Sequence, residues 1–469
     1  MAECLGRDGD FGNPASQHAY GARASQRAAR ARAQVAALVG AAPEQIIFTS
    51  GATESDNLAL LGAARASAGP RHLVTLRTEH KAVLDPCRHL ERQGCSVTYL
   101  TPARSGVLEP AVLAAALRAD TLLVSVMYAN NETGVLQDIA ALGSLCRARG
   151  ILFHTDCAQA LGKVPLNLAS LPVDLASFTA HKLYGPKGIG ALYVGEGVRG
   201  RALQPVLFGG GQERGLRPGT LPTHQLVGFG AACELAGHLL QEEGPRLTLL
   251  RERLWHALAP LGGVHLNGAG APRVPGILSV SFEGVEGESL LAAVQDRLAV
   301  STGAACNSAV RDASHVLHAM GRSARLAEST LRFSLGRFSS ESEVDLAAAT
   351  VVREVRRLRS MAPGQEPPPA PGVTLVSGEA GGPEQGTWIR FHLIVRGDTV
   401  KEARFKALAC PHTVDTAAWL CAQLAGRRSA DLIPGTPAEW AAARAVPVEK
   451  LGRLLIVEDA LRDCLTRWH

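Results

Sequence analysis

From about residue 20 to 235, short apolar runs alternate with longer amphipathic stretches. No other feature of the chain constrains its fold as tightly. Residues 45–49, 72–76, 121–127, 151–154, 175–178 and 191–194 have strand length and composition, and stretches such as 24–38 and 111–119 carry helical periodicity between them. A strand–helix–strand rhythm of this kind predicts an α/β fold, with a mostly parallel sheet covered by helices. The run Leu122-Leu123-Val124-Ser125-Val126 is nearly continuous in apolar residues, as a strand buried on both faces requires.

Beyond this large domain (1–235) the rhythm changes. A helical stretch at 247–258, a strand at 276–282, a helix at 289–297, a strand at 332–334 and a helix at 341–358 predict a smaller α+β domain over 236–360. Residues 361–386 are dense in proline and glycine and are expected to be a linker. Residues 387–469 then form a third, small α+β unit, with a strand at 388–395 and a helix at 413–424. Charged residues make up 19% of the chain and the net charge of +5 is spread along it, without the basic tract that nucleic acid would call for. No run of about 18 apolar residues predicts a membrane span. The N-terminal MAECLGRDGDFGNP lacks the apolar segment of a secretory signal. Ten cysteines without a CxxC pair fit free thiols in a reducing cytoplasm, and Cys87, Cys146, Cys157 and Cys233 sit among apolar neighbours as small core residues do.

Only seven of the 469 residues are lysine, so a lysine just past a strand end invites a chemical reading. Lys182 follows the strand 175–178 in SFTAHKLYGPKGIG, where ligands of open α/β sheets bind. Pyridoxal phosphate (PLP) needs such an amine to hold its aldehyde, although a lone lysine is more often a surface charge. Three further demands of PLP have candidates at other strand ends. The phosphate needs a helix N-terminus, and Phe48-Thr49-Ser50-Gly51-Ala52-Thr53-Glu54-Ser55 supplies a strand, a glycine turn and a helix start. The pyridine nitrogen needs an acid, and Asp156 ends the strand 151–154 just before Gln159; a helix cap is its plainer role. The ring needs a flat partner, and His80 in TEHKAVLD stands at the next strand end. Cys306, among small polar residues in STGAACNSAVRDASHVL, is a candidate nucleophile on an exposed loop, and Arg332 in TLRFSLGRF is a candidate carboxylate clamp. Either could instead be structural.

At these residues the chain resembles the cysteine desulfurases of the nitrogen-fixation and iron–sulfur-cluster assembly type, in the class-V aminotransferase family of fold type I PLP enzymes. The motifs FGNPASQH, FTSGATESDNLAL, TEHKAVLD, YANNETGVLQDI, HTDCAQALGK, SFTAHKLYGPKGIGALYV, GGGQERGLRPGT, VEGESL, ACNSA and LRFSLGRF carry the resemblance from about Phe11 to Leu358. It implies that Lys182 binds the cofactor covalently and that Ala52, Thr53, Thr179 and His181 hold its phosphate, with the partner subunit's Thr220 across a homodimer interface. It further implies that Asp156 pairs with the pyridinium, Gln159 bonds the ring hydroxyl, His80 stacks on the ring and moves protons, and Asn131 and Arg332 hold the carboxylate of L-cysteine. Cys306 would take the sulfur, leaving L-alanine and a persulfide for an iron–sulfur scaffold or another acceptor protein. The family also opens with a strand and an Asp-x-x-Ala-Thr-Thr segment. Met1 stands ten residues before FGNP, so either the start lies further upstream or one wall of the site is missing.

The stretch from Phe391 to about Leu465 resembles the U-type iron–sulfur scaffold domain, in VRGDTVKEARFKALACPHTVDTAAWLCAQLAGR and VPVEKLGRLLIVEDAL. Such a scaffold holds its cluster with three cysteines. Here only Cys410 falls at one of those positions, the third falls near Arg453, and Cys421 and Cys464 lie elsewhere. The domain is therefore expected to be degenerate: it accepts persulfide at Cys410 or only imitates a docking surface. No metal site is expected beyond what Cys306 or Cys410 could offer. Two other readings stay open: a lyase acting on selenocysteine or cysteine sulfinate, and a catalytically impaired regulatory or interaction protein.

Overall fold

The computed structural model describes residues 1–68, 71–198, 203–302, 314–360, 374–382 and 386–468. Its largest sheet contains β1 (Ile46–Thr49), β2 (His72–Leu76), β3 (Ser96–Leu100), β4 (Thr121–Ser125), β5 (Leu152–Asp156), β6 (Leu175–Thr179) and β7 (Gly190–Val194), in the order β1-β7-β6-β5-β4-β2-β3. β3, β2, β4, β5 and β6 pair in parallel, while β7 is antiparallel to both β6 and β1. Only β7 is reversed, so the carboxyl ends of the other strands all open on one edge. The α/β fold expected from the sequence is the one observed.

Both faces of the sheet are covered, by α1 (Ala19–Leu38), α2 (Ala52–Ala66), α3 (Lys81–Arg92), α4 (Pro110–Ala116) and α5 (Ile139–Arg147). Strand periodicity divides the core in two. Ile46, Phe48, Val74, Val124 and Phe153 pack with α1 and α5, whereas Ile47, Leu73, Leu123 and Leu192 pack with α2 and α3. α6 (Thr223–Leu258) is 36 residues long and lies against α1. Small residues let the two helices approach: a Cβ on Gly230 would stand 2.8 Å from the Ala31 Cα.

α6 also carries the chain into the second unit, so the boundary expected at 235/236 falls inside a helix. Its first half packs in the core of the large domain, through Leu226, Phe229 and Cys233. Its second half, past Pro245, presents Leu250, Leu254 and Leu258 to the small domain. There β8 (Val264–Leu266), β9 (Ile277–Phe282) and β10 (Thr330–Ser334) form an antiparallel sheet in the order β10-β9-β8. α7 (Gly287–Val294), α8 (His315–Ala319), α9 (Ala324–Glu328) and α10 (Glu341–Ser360) complete this unit.

The third unit starts earlier than expected. β11 (Thr374–Gly382) lies within the stretch assigned to a linker, and pairs along its length with β12 (Thr387–Arg396), which pairs in turn with β13 (Thr399–Leu408). The glycines that suggest a linker serve close packing instead. A Cβ on Gly378 would stand 2.1 Å from the Cys464 backbone nitrogen and 2.5 Å from the Ala460 carbonyl oxygen, and Gly381 has φ +75°. Cys464 and Ala460 belong to α13 (Leu451–Trp468), which packs on this sheet with α11 (Pro411–Leu424) and α12 (Pro437–Ala443) around Phe391, Leu420, Trp440 and Leu461.

Candidate active site

The strand ends gather the expected groups. Past β1, Gly51 leads into α2, whose N-cap makes no side-chain hydrogen bond, so the first-turn N–H groups of Ala52 and Thr53 have no capping side chain. Gly190 of β7 permits this turn to sit close, because a Cβ there would lie 2.3 Å from the Phe178 carbonyl oxygen and 2.6 Å from the Gly51 Cα. Thr179 ends β6 beside the same turn, with Oγ1 2.9 Å from the Nδ1 of His181. Lys182 follows in a single 3₁₀ turn (Ala180–Leu183) that Tyr184 closes in the left-handed region at φ 66°. Such a conformation is uncommon outside glycine. Tyr184 is braced by the Arg337 N–H, donated to its hydroxyl over 2.6 Å, and by the Arg337 guanidinium 4.6 Å above its ring.

Asp156 ends β5, buried, with Oδ1 accepting from the Ala158 N–H at 2.8 Å. Burial raises its pKa, against that bond and the positive fields of His80 and Lys182. Two further buried acids, Asp56 and Glu79, stand near it, and both are pushed well up by burial first and by the Asp156 charge. Glu79 accepts from the Met127 N–H at 2.8 Å, while its Oε2 and both Asp56 oxygens have no hydrogen-bond partner among the described residues. His80 caps α3, its Nδ1 accepting from the Ala82 N–H at 3.1 Å.

A chamber of about 180 Å³ lies at these strand ends, lined by Asn131, Gln159, Lys163, Lys182 and Arg332 among others. Arg332 reaches it from β10 of the small domain and donates Nη1–H to the Asn131 carbonyl over 2.9 Å. Its buried Nε is without a hydrogen-bond partner among the described residues. Thr220 is exposed in a separate surface cleft beside Gln212 and Glu213, and does not line the chamber. Cys306 lies outside the described residues. The first residues after it that are described are tied to the site: Ser314 Oγ donates to Glu132 Oε2, and His315 Nε2 lies 2.9 Å from the Glu79 carbonyl oxygen.

These residues fit PLP. An uncapped helix start beside Thr179 and His181 suits a phosphate. The buried Asp156 carboxylate suits a pyridinium, and the Lys182 amine of the chamber suits an aldehyde. Arg332, with an unsatisfied N–H, suits a carboxylate. Sequence reasoning counts Lys163 among the lysines and gives it no role. Its Nζ lies 2.5 Å from Gln159 Oε1 in the chamber, and the four-residue spacing from Gln159 is the signal that could have exposed it. Glu132, Glu79 and Asp56 carry no comparable signal, since their burial comes from the fold.

In the third unit, Cys410 is buried at the N-cap of α11, with its sulfur 3.2 Å from Thr413 Oγ1. Arg453 adjoins it; burial lowers the guanidinium's pKa, but Cys410, Glu286 and Glu288 raise it beyond that. Among the described residues no group of three or more His, Cys, Asp or Glu side chains is placed to hold a metal, and no helix is long and apolar enough to cross a membrane.

The sequence pattern of the class-V aminotransferase family matches residues 9–346. The cysteine desulfurase IscS of Pectobacterium atrosepticum is 53% identical over 365 residues, 77% of this chain and 90% of that protein. The IscS of Pseudomonas aeruginosa is also 53% identical over 365 residues, with the same coverage. Among solved structures, a NifS-like protein superposes with a TM-score of 0.69 at 36% identity, covering 74% of this chain and 92% of its own. DndA from Streptomyces lividans does so with a TM-score of 0.61 at 43% identity, covering 69% and 92%. The chain thus belongs to the class-V aminotransferase family and, within it, to the pyridoxal-phosphate-dependent cysteine desulfurases.

Proposed function

We propose that this chain converts L-cysteine to L-alanine, taking the sulfur as a persulfide on Cys306 and supplying it for iron–sulfur cluster assembly. The convergence of Lys182, Gln159, Asn131 and Arg332 on one chamber, with Asp156 buried at the adjoining strand end, carries this reading. A related structure, SspA, is in complex with cysteine; it is 35% identical, has a TM-score of 0.64, and covers 72% of this chain and 94% of its own.

Bound PLP supplies an electron sink for the bonds broken at the substrate's carbons. Lys182 would hold it covalently; the α2 start, Thr179 and His181 would hold its phosphate; Asp156 would keep its nitrogen protonated; Gln159 would meet its ring oxygen; and His80 would cover its ring. Arg332 and Asn131 orient the substrate by its carboxylate. With PLP and substrate bound, Lys182 would move the proton at the substrate's α-carbon. The Cys306 thiolate bonds to the substrate sulfur as the carbon–sulfur bond breaks. The electron pair left on carbon is protonated, His80 assisting, and alanine departs. The working form is a cytoplasmic homodimer in which the partner subunit's Thr220 completes the phosphate site; the exposed position of Thr220 supports this.

The third unit we read as a degenerate U-type scaffold domain. Arg453, standing where the third scaffold cysteine is expected, adjoins Cys410, and this supports the reading. Its remaining thiol chemistry is persulfide receipt at Cys410.

Replacing Cys306 by serine tests the central step. The variant should bind PLP with the same visible absorbance as the parent and release alanine from cysteine at under about 1% of its rate. Alanine release at the parental rate overturns the assignment. Mass spectrometry after exposure to cysteine should locate an added sulfur at Cys306, and at Cys410 if the third unit receives it.

A further inference from the structure

Lys163 and Gln159 sit four residues apart in the turn that follows β5. The turn is held by Ala160 N–H and Leu161 N–H donated to the Cys157 carbonyl, and by Lys163 N–H donated to the Ala160 carbonyl. Both side chains face the chamber, and Lys163 Nζ donates to Gln159 Oε1 over 2.5 Å. An ammonium group has donors and no acceptor, whereas a glutamine amide has one end of each kind. With its oxygen bound to Lys163, the Gln159 amide can turn only its N–H₂ end to a ligand. Without that bond, either end could face the ligand.

We propose that Lys163 is a positioning residue that fixes the orientation of the Gln159 amide, so that Gln159 offers N–H rather than C=O to the anionic ring oxygen of the cofactor. The inference rests on the reading above, in which PLP binds at Lys182 beside Gln159. The charged and titratable side chains lining the chamber are Lys163, Lys182, Tyr184, Arg332, Arg337 and Glu243. Burial first, and then the charges of Lys182 and Arg332, lower the Lys163 amine to about 7. Only the ammonium form lacks an acceptor, so the amide is held in this orientation while Lys163 keeps its proton.

A hydrogen bond donated to the ring oxygen weakens that oxygen's hold on the proton it shares with the Lys182 nitrogen. Its loss raises the pH at which that proton leaves. The test is a pH titration of the visible absorbance of the full-length chain, after apo-protein has been loaded with PLP and its Kd measured. Lys163→Met should raise the midpoint by about one unit, a tenfold shift, and Lys163→Arg should leave it near the parental value. Gln159→Leu should raise it as well, and the double variant should go no higher than Gln159→Leu alone. If Lys163→Met does not accumulate in folded form, Lys163→Leu, which has no donor for Gln159, carries the same expectation. A folded, PLP-loaded variant lacking the Lys163 amine that keeps the parental midpoint overturns the proposal. A parent chain that takes up no PLP at all overturns the reading beneath it, and the inference falls with it.

Discussion

Glu132 stands next to Asn131 and accepts from Ser314, just after the segment that holds Cys306. Burial raises its carboxyl from 4.5 to about 7, even though the Ser314 bond and the Arg332 charge pull it down. Between those two values the folded chain keeps a proton that the unfolded chain has released. Stability from this residue therefore falls as pH rises from 4.5 to 7 and is level above, a loss of up to about 3 kcal/mol. Glu132→Gln should flatten that decline, and urea unfolding of parent and variant at pH 5 and pH 8 checks it. At this scale, the legible candidates are those that stand at or just past strand ends with a distinctive residue type, Lys182, Asp156 and His80, together with Arg332 inside β10. The buried acids Asp56, Glu79 and Glu132 were not legible, because an acid in an ordinary-looking run declares itself only when the fold closes over it.

At the scale of elements, the Gly51 turn depends on a strand that carries none of the candidate site residues. β7 is wedged between β1 and β6, and Gly190 is where its backbone passes closest to Gly51. Gly190→Ala places a methyl into that contact and should cost about 1–3 kcal/mol, lowering Tm. It should also weaken PLP binding, since Gly51 positions the start of α2; a thermal melt and a PLP titration check both. Strands buried on both faces, such as β2, β4 and β6, could be read from their apolar runs. β3 could not: it is the sheet's edge strand, partly buried over most of its length, and Ser96-Val97-Thr98-Tyr99 makes no such run. Only the last third of α6 was visible, because Gly228, Gly230, Gly237, Gly244 and Pro245 interrupt its pattern, and Gly230 is present for helix packing. β11 was hidden for the same reason, by glycines that bring it against α13.

At the scale of the whole molecule, the described residues form separate cores: the two faces of the large sheet, the small domain, and a third unit whose core runs from Val376 to Cys464. The third unit meets the rest through few polar contacts, among them Ser289 Oγ donating to the Ala409 carbonyl over 2.7 Å and Lys450 Nζ paired with Glu288 at 2.8 Å. A chain ending at Ser360 should therefore keep its PLP Kd within about twofold, and calorimetry of the full chain should resolve the third unit as its own transition. α6 has the opposite effect on the first two units. A helix of 36 residues spans about 54 Å, with one half embedded in each body, so it acts as a shared beam. Under load, as when a chain is pulled through an unfoldase or between optical traps, the two lobes cannot yield one after the other, because extracting either half of the beam opens the other lobe's interior. The third unit, tethered outside that beam, would give way on its own.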